Sequence, residues 1–204
     1  MPQILPGPLF LAGQAWLDFV NTTMADRGRE MDLLPDVDHL FGWLVEAGLM
    51  DAPAVAAARA RWGTGRSAHA LLAEALDFRR ALRELGERLA AGHHTVPPRF
   101  RAAINRVLAA RSSYPQLVED HGLKQAMTTT ISEPLGILAG VAQSAADLLT
   151  NGDYDLVKHC AGPRCVLLFY DTTKNHARRF CTAAVCGNRF KAAAHYRRIK
   201  ATRG

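Results

Sequence analysis

The chain has 204 residues, of which 49% are hydrophobic and 22% charged. This balance suits a folded globular protein and excludes disordered and fibrous architectures. The formal charge of +6 is unevenly placed: residues 1–150 carry 14 Lys/Arg against 16 Asp/Glu, and residues 151–204 carry 11 against 3. The basic object is therefore the last quarter of the chain, and all 4 cysteines lie in it. The N-terminus has no basic stretch and carries early prolines, so no secretory signal is expected. The longest apolar run, residues 135–149, contains Gln143, Ser144 and Asp147 and is too short to span a bilayer, so no membrane partner is expected. These features predict a cytoplasmic protein, in a compartment where clustered cysteines favour metal over disulfides.

In chain order, residues 13–23 place Leu17 and Val20 at helical spacing and then enter a polar segment, residues 25–31, read as a loop. Asp36 or Asp38 can cap a helix carrying Val37, Leu40, Phe41 and Leu44 that stops at Gly48. Pro53 fits the first turn of an alanine-rich helix ending near Trp62. Leu71, Ala75, Phe78, Leu82, Leu85 and Leu89 recur at alternating four and three, which predicts a long amphipathic helix over 67–91. After Pro97-Pro98, a further helix is read through Phe100, Ile104, Val107 and Leu108. Residues 115–131 read as a β-hairpin turning at Asp120-His121-Gly122, followed by an apolar helix to about Thr150. The fold class expected is mainly α with a small β element (α+β). It divides into a helical domain, residues 1–152, and a small four-cysteine zinc module, residues 153–204, built from a β-hairpin and a C-terminal helix.

The cysteines are spaced C-x4-C-x15-C-x4-C, as Cys160, Cys165, Cys181 and Cys186. Two equally spaced pairs of thiolates can close a tetrahedral Zn²⁺ site, with Gly162-Pro163 supplying the first turn. Two disulfides, four unrelated cysteines and a rubredoxin-like iron site are the competing readings. The spacing and compartment favour zinc, one per chain. Four sulfur ligands leave no position open for water, so the metal is read as structural. Two short strands, at about 166–170 and 178–181, would return the chain to the metal, and the second pair would open the last helix. Such a small module has little core of its own, so ligation should supply much of its stability.

Phe169-Tyr-Asp171-x-x-x-Asn175-x-x-Arg178-Arg179-Phe180-Cys181-x4-Cys186-Gly187-Asn188-Arg189-Phe190-Lys191, after Cys160-x4-Cys165, resembles the CGNR zinc finger. That module is named for the tetrapeptide found here at 186–189. Upstream, Trp16-Leu-Asp-Phe-Val-Asn-Thr22, Asp38-x-Leu40-x-x-Trp43-Leu44 and Leu148-Leu149 resemble the ABATE domain that accompanies it. Phe180 stands where the family often has Trp. The resemblance implies a bacterial stress-induced transcription regulator whose four cysteines hold zinc.

Asn188 can cap a C-terminal helix over 189–200. From Lys158 onward, 11 Lys/Arg face a single acid, Asp171. Part of this charge, from Arg178, Arg179 and Arg189, would offset the net negative charge of a four-thiolate site. The surplus suits phosphates. Candidate nucleic-acid contacts are Arg178, Arg179, Arg189, Lys191, Arg197, Arg198 and Lys200. DNA is the expected partner, with RNA or a protein as the alternative. The helical domain is expected either to sense a small-molecule effector or to form a homodimer. Trp16, Asp18, Asn21 and Arg27 are candidates to line an effector or substrate pocket there, although capping and packing also explain them. No hydrolase, metalloprotease, P-loop or dinucleotide-binding motif occurs, so the chain is expected not to be an enzyme.

Overall fold

In a computed structural model of the chain, residues 10–26, 29–188 and 190–192 are described. The chain begins with α1 (Ala15–Val20), a hairpin of β1 (Thr23–Asp26) and β2 (Arg29–Asp32), and the helices α2 (Val37–Glu46) and α3 (Ala52–Trp62). Then come α4 (Gly65–Ala90), α5 (Pro98–Ala109) and a long hairpin of β3 (Arg111–Glu119) and β4 (Leu123–Ile131). A 3₁₀ turn, Pro134–Leu138, leads into α6 (Ala139–Asn151). The tail contributes a third hairpin, β5 (Val157–His159) and β6 (Leu168–Tyr170), and a π-helical turn, Ala183–Gly187. All three sheets are two-stranded and antiparallel, so the α+β expectation holds. Among the described residues, no helix is long and apolar enough to cross a membrane.

Local chemistry sets the helix starts. The Asp36 carboxylate accepts from the His39 amide at 2.9 Å, and Asp51 accepts from the Ala54 amide at 2.7 Å, each satisfying an orphan donor of the first turn. Prolines occupy the first turns of α3 and α5, where no amide is needed. The periodic stripe on α4 is buried from Leu71 to Leu89 and forms the spine of the core. Against it pack Trp16, Leu17, Phe19 and Val20 of α1 and the inner faces of α2 and α5, while α6 packs on α1 and α5.

The structure differs from the sequence reading at three places. In the segment read as a loop at 25–31, residues 25–26 and 29–31 belong to the paired strands β1 and β2, with Met24 opposite Met31. The hairpin's hold comes from α4, where Arg79 donates to both Asp32 oxygens at 2.8 and 2.6 Å and to Thr22 Oγ1 at 2.8 Å. A partner 47 residues away leaves no local pattern. In the tail, β6 pairs with β5, and no strand forms at 178–181. The hairpin thus embraces the first cysteine pair, leaving the Cys165–Cys181 spacer irregular beyond β6. Finally, helical structure begins at Ala183, before Asn188. Thr182 Oγ1 accepts from the Ala184 amide at 3.2 Å in the capping role assigned to Asn188, which instead donates to Ala184 O at 3.0 Å.

The tail strands share the core of the helices. Val157, Leu168 and Phe169 are buried in the same apolar cluster as Trp16 and Leu85. Contact is close enough that a Cβ on Gly86 would lie 2.8 Å from Leu168 Cδ1 and 3.3 Å from the Trp16 ring. Arg83 ties the tail to the N-terminal elements, donating to Val166 O, Val20 O and Thr23 O at 3.0–3.1 Å.

Candidate metal centre and basic face

Cys160 follows β5, Cys165 follows a turn through Gly162-Pro163-Arg164, Cys181 ends the spacer, and Cys186 lies in the π-helical turn. Backbone bonds shape this knuckle. The Cys160 amide donates to Leu167 O at 3.0 Å, Cys165 to Gly162 O at 3.0 Å, and Ala161 to Arg179 O at 2.8 Å. Arg164 adopts a left-handed φ of 63° at the turn. Gly162 faces the sulfurs so tightly that a Cβ there would lie 3.0 Å from Cys186 Sγ and 3.3 Å from Cys160 Sγ.

The four Sγ atoms lie within 4.8 Å of one another. A tetrahedral site with Zn–S bonds of ~2.3 Å requires sulfurs ~3.8 Å apart. Cys165 and Cys181 stand at 3.9 Å and Cys181 and Cys186 at 3.5 Å, so the donor set fits zinc. The protonation chemistry agrees. Hydrogen bonding to Cys165 and its neighbours draws the Cys160 thiol far below its ordinary value, while bonding to Cys160 pushes Cys181 and Cys186 well up. Against an opposing bond to Cys160, bonding to Cys181 and Cys186 also lowers Cys165, to about 7, so the cluster forms thiolates at Cys160 and Cys165 and resists four without a cation. Amides of Gly162 and Cys181 point at Cys160 Sγ, at 3.4 and 3.2 Å, and stabilise its charge. Zinc held by Cys160, Cys165, Cys181 and Cys186 cross-links the two ends of the tail, a structural role.

Beneath the cluster, Asp171 is fully buried. It accepts from Lys158 Nζ at 2.7 Å, Thr173 N at 3.0 Å, Thr173 Oγ1 at 2.6 Å and Arg178 N at 2.9 Å. Burial opposes ionisation, but these donors outweigh it and hold the carboxyl well below the ordinary Asp range. Asp171 organises the spacer loop between β6 and Cys181.

The candidate basic contacts divide. Arg178 is half-buried: its guanidinium donates to Phe180 O, Leu11 O and Cys181 O and stacks 4.3 Å from the Phe169 ring centroid. Its guanidinium is thus strapped to three backbone carbonyls, and the residue also lines the groove of the basic face. Lys158 is likewise tied inward, to Asp171 and to His176 O at 2.7 Å. Arg179 and Lys191 are exposed. The Arg179 guanidinium lies 5.9 and 5.7 Å from the ring centroids of Phe180 and Phe190. An open groove of about 560 Å³ runs along this face, lined by Lys174, Asn175, Arg179 and Phe180 among others. Lys174 and Asn175 were absent from the sequence-derived contact set, because only the loop fold brings them beside Arg179. Arg189, Arg197, Arg198 and Lys200 lie outside the described residues, as does Arg27.

Of the proposed pocket residues of the helical domain, Trp16, Asp18 and Asn21 are buried, and the Trp16 indole N–H has no hydrogen-bond partner among the described residues. Trp16 is buried against Gly86. Asp18 Oδ1 accepts from the Ala12 amide at 2.8 Å. Asn21 is bonded to the backbone of Leu168. Trp16 and Asn21 join the N-terminal helix to the tail, and Asp18 holds the segment that precedes the helix.

The family model described as "Putative stress-induced transcription regulator" (ABATE) matches residues 13–152, and that of the CGNR zinc finger matches residues 157–199. No curated protein matches the chain. A helical body matched over more than half the sequence and a four-cysteine knuckle matched at the basic end make one assignment: the chain belongs to the ABATE family and carries a zinc-holding CGNR finger.

Proposed function

We propose that the chain is a bacterial transcription regulator that contacts DNA through the exposed face of its zinc module, with the helical body as the regulatory part. The observation that carries this reading is the groove beside the metal centre, where Lys174 and Arg179 stand exposed with Asn175 between aromatic and cationic neighbours. Zinc and Asp171 fix the backbone beneath them, so cations are presented on a rigid surface that suits phosphate positioning. Arg189, Lys191, Arg197, Arg198 and Lys200 extend the same basic sequence. Inward use of Lys158 and Arg178 makes the phosphate-directed charge smaller than composition implies. The chain acts as a binding protein and not an enzyme, a reading supported by a metal with all four ligands supplied by cysteine. It works in the cytoplasm, where free thiols persist to hold the metal.

Electrophoretic mobility shift with duplex DNA fragments at low salt tests this. Retardation should weaken steeply as salt rises, by about one unit of log–log slope per phosphate neutralised. Lys174→Glu with Arg179→Glu should weaken binding across sequences with zinc content unchanged. No retardation at ~50 mM salt overturns the reading. RNA outcompeting duplex DNA in the same lanes would reassign the face to RNA.

A further inference from the structure

The β3–β4 hairpin packs on the body at its base, against α5 and the Pro134–Leu138 turn, and is otherwise open on both faces. Leu117, Leu123 and Met127 are 69%, 78% and 66% exposed, and Tyr114 46%. An isolated two-stranded ribbon is marginal in water, and exposed strand edges are ordinarily blunted or covered.

The ladder shows which edge is open. At its ends the Asp120 amide donates to Gly122 O at 2.9 Å and the Ser132 amide to Ala110 O at 2.9 Å. Both pairs continue the register in which Pro115 faces Met127 and Leu117 faces Gln125. Hydrogen-bonded and non-hydrogen-bonded pairs alternate in an antiparallel ladder. The even-numbered pairs therefore bond inward, and the odd residues turn their amides and carbonyls to the outer edges. On β3 the middle outward position is Pro115, which has no N–H and blunts that edge. On β4 the outward set is Leu123, Gln125, Met127, Thr129 and Ile131, with no proline. The base of this edge is met by Arg61, whose Nη1 donates to Ile131 O at 3.2 Å, as an outward carbonyl permits.

We infer that the β4 edge pairs antiparallel with β4 of a second copy of this chain about a two-fold axis at Met127, giving a four-stranded sheet ordered β3-β4-β4-β3. That register places Leu123 against Ile131 and Gln125 against Thr129 of the other copy, with outward donors facing outward acceptors and the Ile131 carbonyl accepting from the other copy beside its bond to Arg61. The only charge on β4, Lys124, falls opposite Thr130, so the two lysines lie ~20 Å apart and no like charges meet. Two-fold closure satisfies both edges at once and leaves only the proline-blunted β3 strands at the rim. The hairpin has one Lys and one Arg against one Asp and one Glu, so its charge does not favour nucleic acid as the occupant.

Light scattering on the eluting full-length zinc protein across the micromolar range tests the pairing. The wild type should run as a dimer. Met127→Pro mirrors Pro115: it removes an outward amide without touching a bond inside the hairpin, and it should halve the mass. Ser113→Pro removes an outward amide from β3 and should leave the dimer intact. Circular dichroism and zinc content should be unchanged in both variants. A monomeric wild type, a dimer that survives Met127→Pro, or loss of the dimer in Ser113→Pro would each overturn the assignment.

Discussion

Asn21 and Leu168, 147 residues apart, exchange two hydrogen bonds: the Leu168 amide donates to Asn21 Oδ1 at 3.0 Å, and Asn21 Nδ2 donates to Leu168 O at 2.7 Å. A side-chain amide here imitates a neighbouring strand for β6, whose outer edge would otherwise be buried unpaired. Beside it the Tyr170 amide donates to Ala12 O at 2.7 Å, so the N-terminal segment completes the edge. This clasp joins the metal module to the body. Asn21→Ala strands a buried donor and a buried acceptor and should cost about 2–4 kcal/mol. Asn21→Asp keeps the acceptor but sets an oxygen against Leu168 O, so it should not restore stability. Urea midpoints of the two variants against wild type check both statements.

Removal of zinc should divide the tail instead of releasing it whole. Val157, Leu168 and Phe169 are held by the common core, whereas Cys160–Cys165 and the stretch from Lys174 to Cys186 are tied chiefly through the metal site and Asp171. After chelation, hydrogen exchange should rise sharply at 161–166 and 174–188 and much less at 157–159 and 168–170. Metal analysis should give about one zinc per chain. Uniform protection across the tail after chelation would contradict a structural role for the metal.

Gly162 is the position where a single methyl group should do most harm to the centre. Its Cβ would press on Cys186 Sγ and Cys186 Cβ, both at 3.0 Å, and on Cys160 Sγ at 3.3 Å. The glycine also donates its amide to Cys160 Sγ. Gly162→Ala should weaken zinc retention about ten- to a hundredfold, a loss of the size seen when groups supporting metal ligands are changed. Competition with a chromophoric chelator measures it. Alanine at Gly42, where nothing lies within 4 Å of the added Cβ, provides the control.

The legible parts of this protein were those with local signals. Helices followed from apolar spacing on α4, from the Asp36 and Asp51 caps and from prolines in first turns. The zinc ligands followed from a repeated cysteine spacing. What escaped the sequence was carried by distant partners. The β1–β2 hairpin depends on Arg79, and β5 gave too short a run to mark itself as the partner of β6. Asn21 was noticed as a polar residue at a helix end, but its function lies in a backbone that arrives 147 residues later. Arg178 looked like surface charge because its residue type and position beside Arg179 suggested it. Only the fold shows carbonyl oxygens of Leu11, Phe180 and Cys181 around it.

Asp18 should impose a pH dependence opposite in sign to that of Asp171. Burial raises the Asp18 carboxyl to about 6, while backbone bonds from Ala12 and Leu11 and the charge of Arg178 offset only part of that rise. With a folded value above the unfolded one, the native state binds the extra proton between about pH 4 and 6. Stability from this group therefore falls as pH rises through that window and is flat above it, a loss on the order of 3 kcal/mol. Asp171, held low, works the other way: its contribution is complete above the ordinary Asp range and is lost only in stronger acid. Zinc release in acid overlays both, so the comparison is between variants at one pH. Asp18→Asn should gain stability relative to wild type from about pH 5 to about pH 7 and match it most closely near pH ~4. Urea denaturation of both proteins across that range reads the difference, and a difference independent of pH would show that Asp18 does not titrate there.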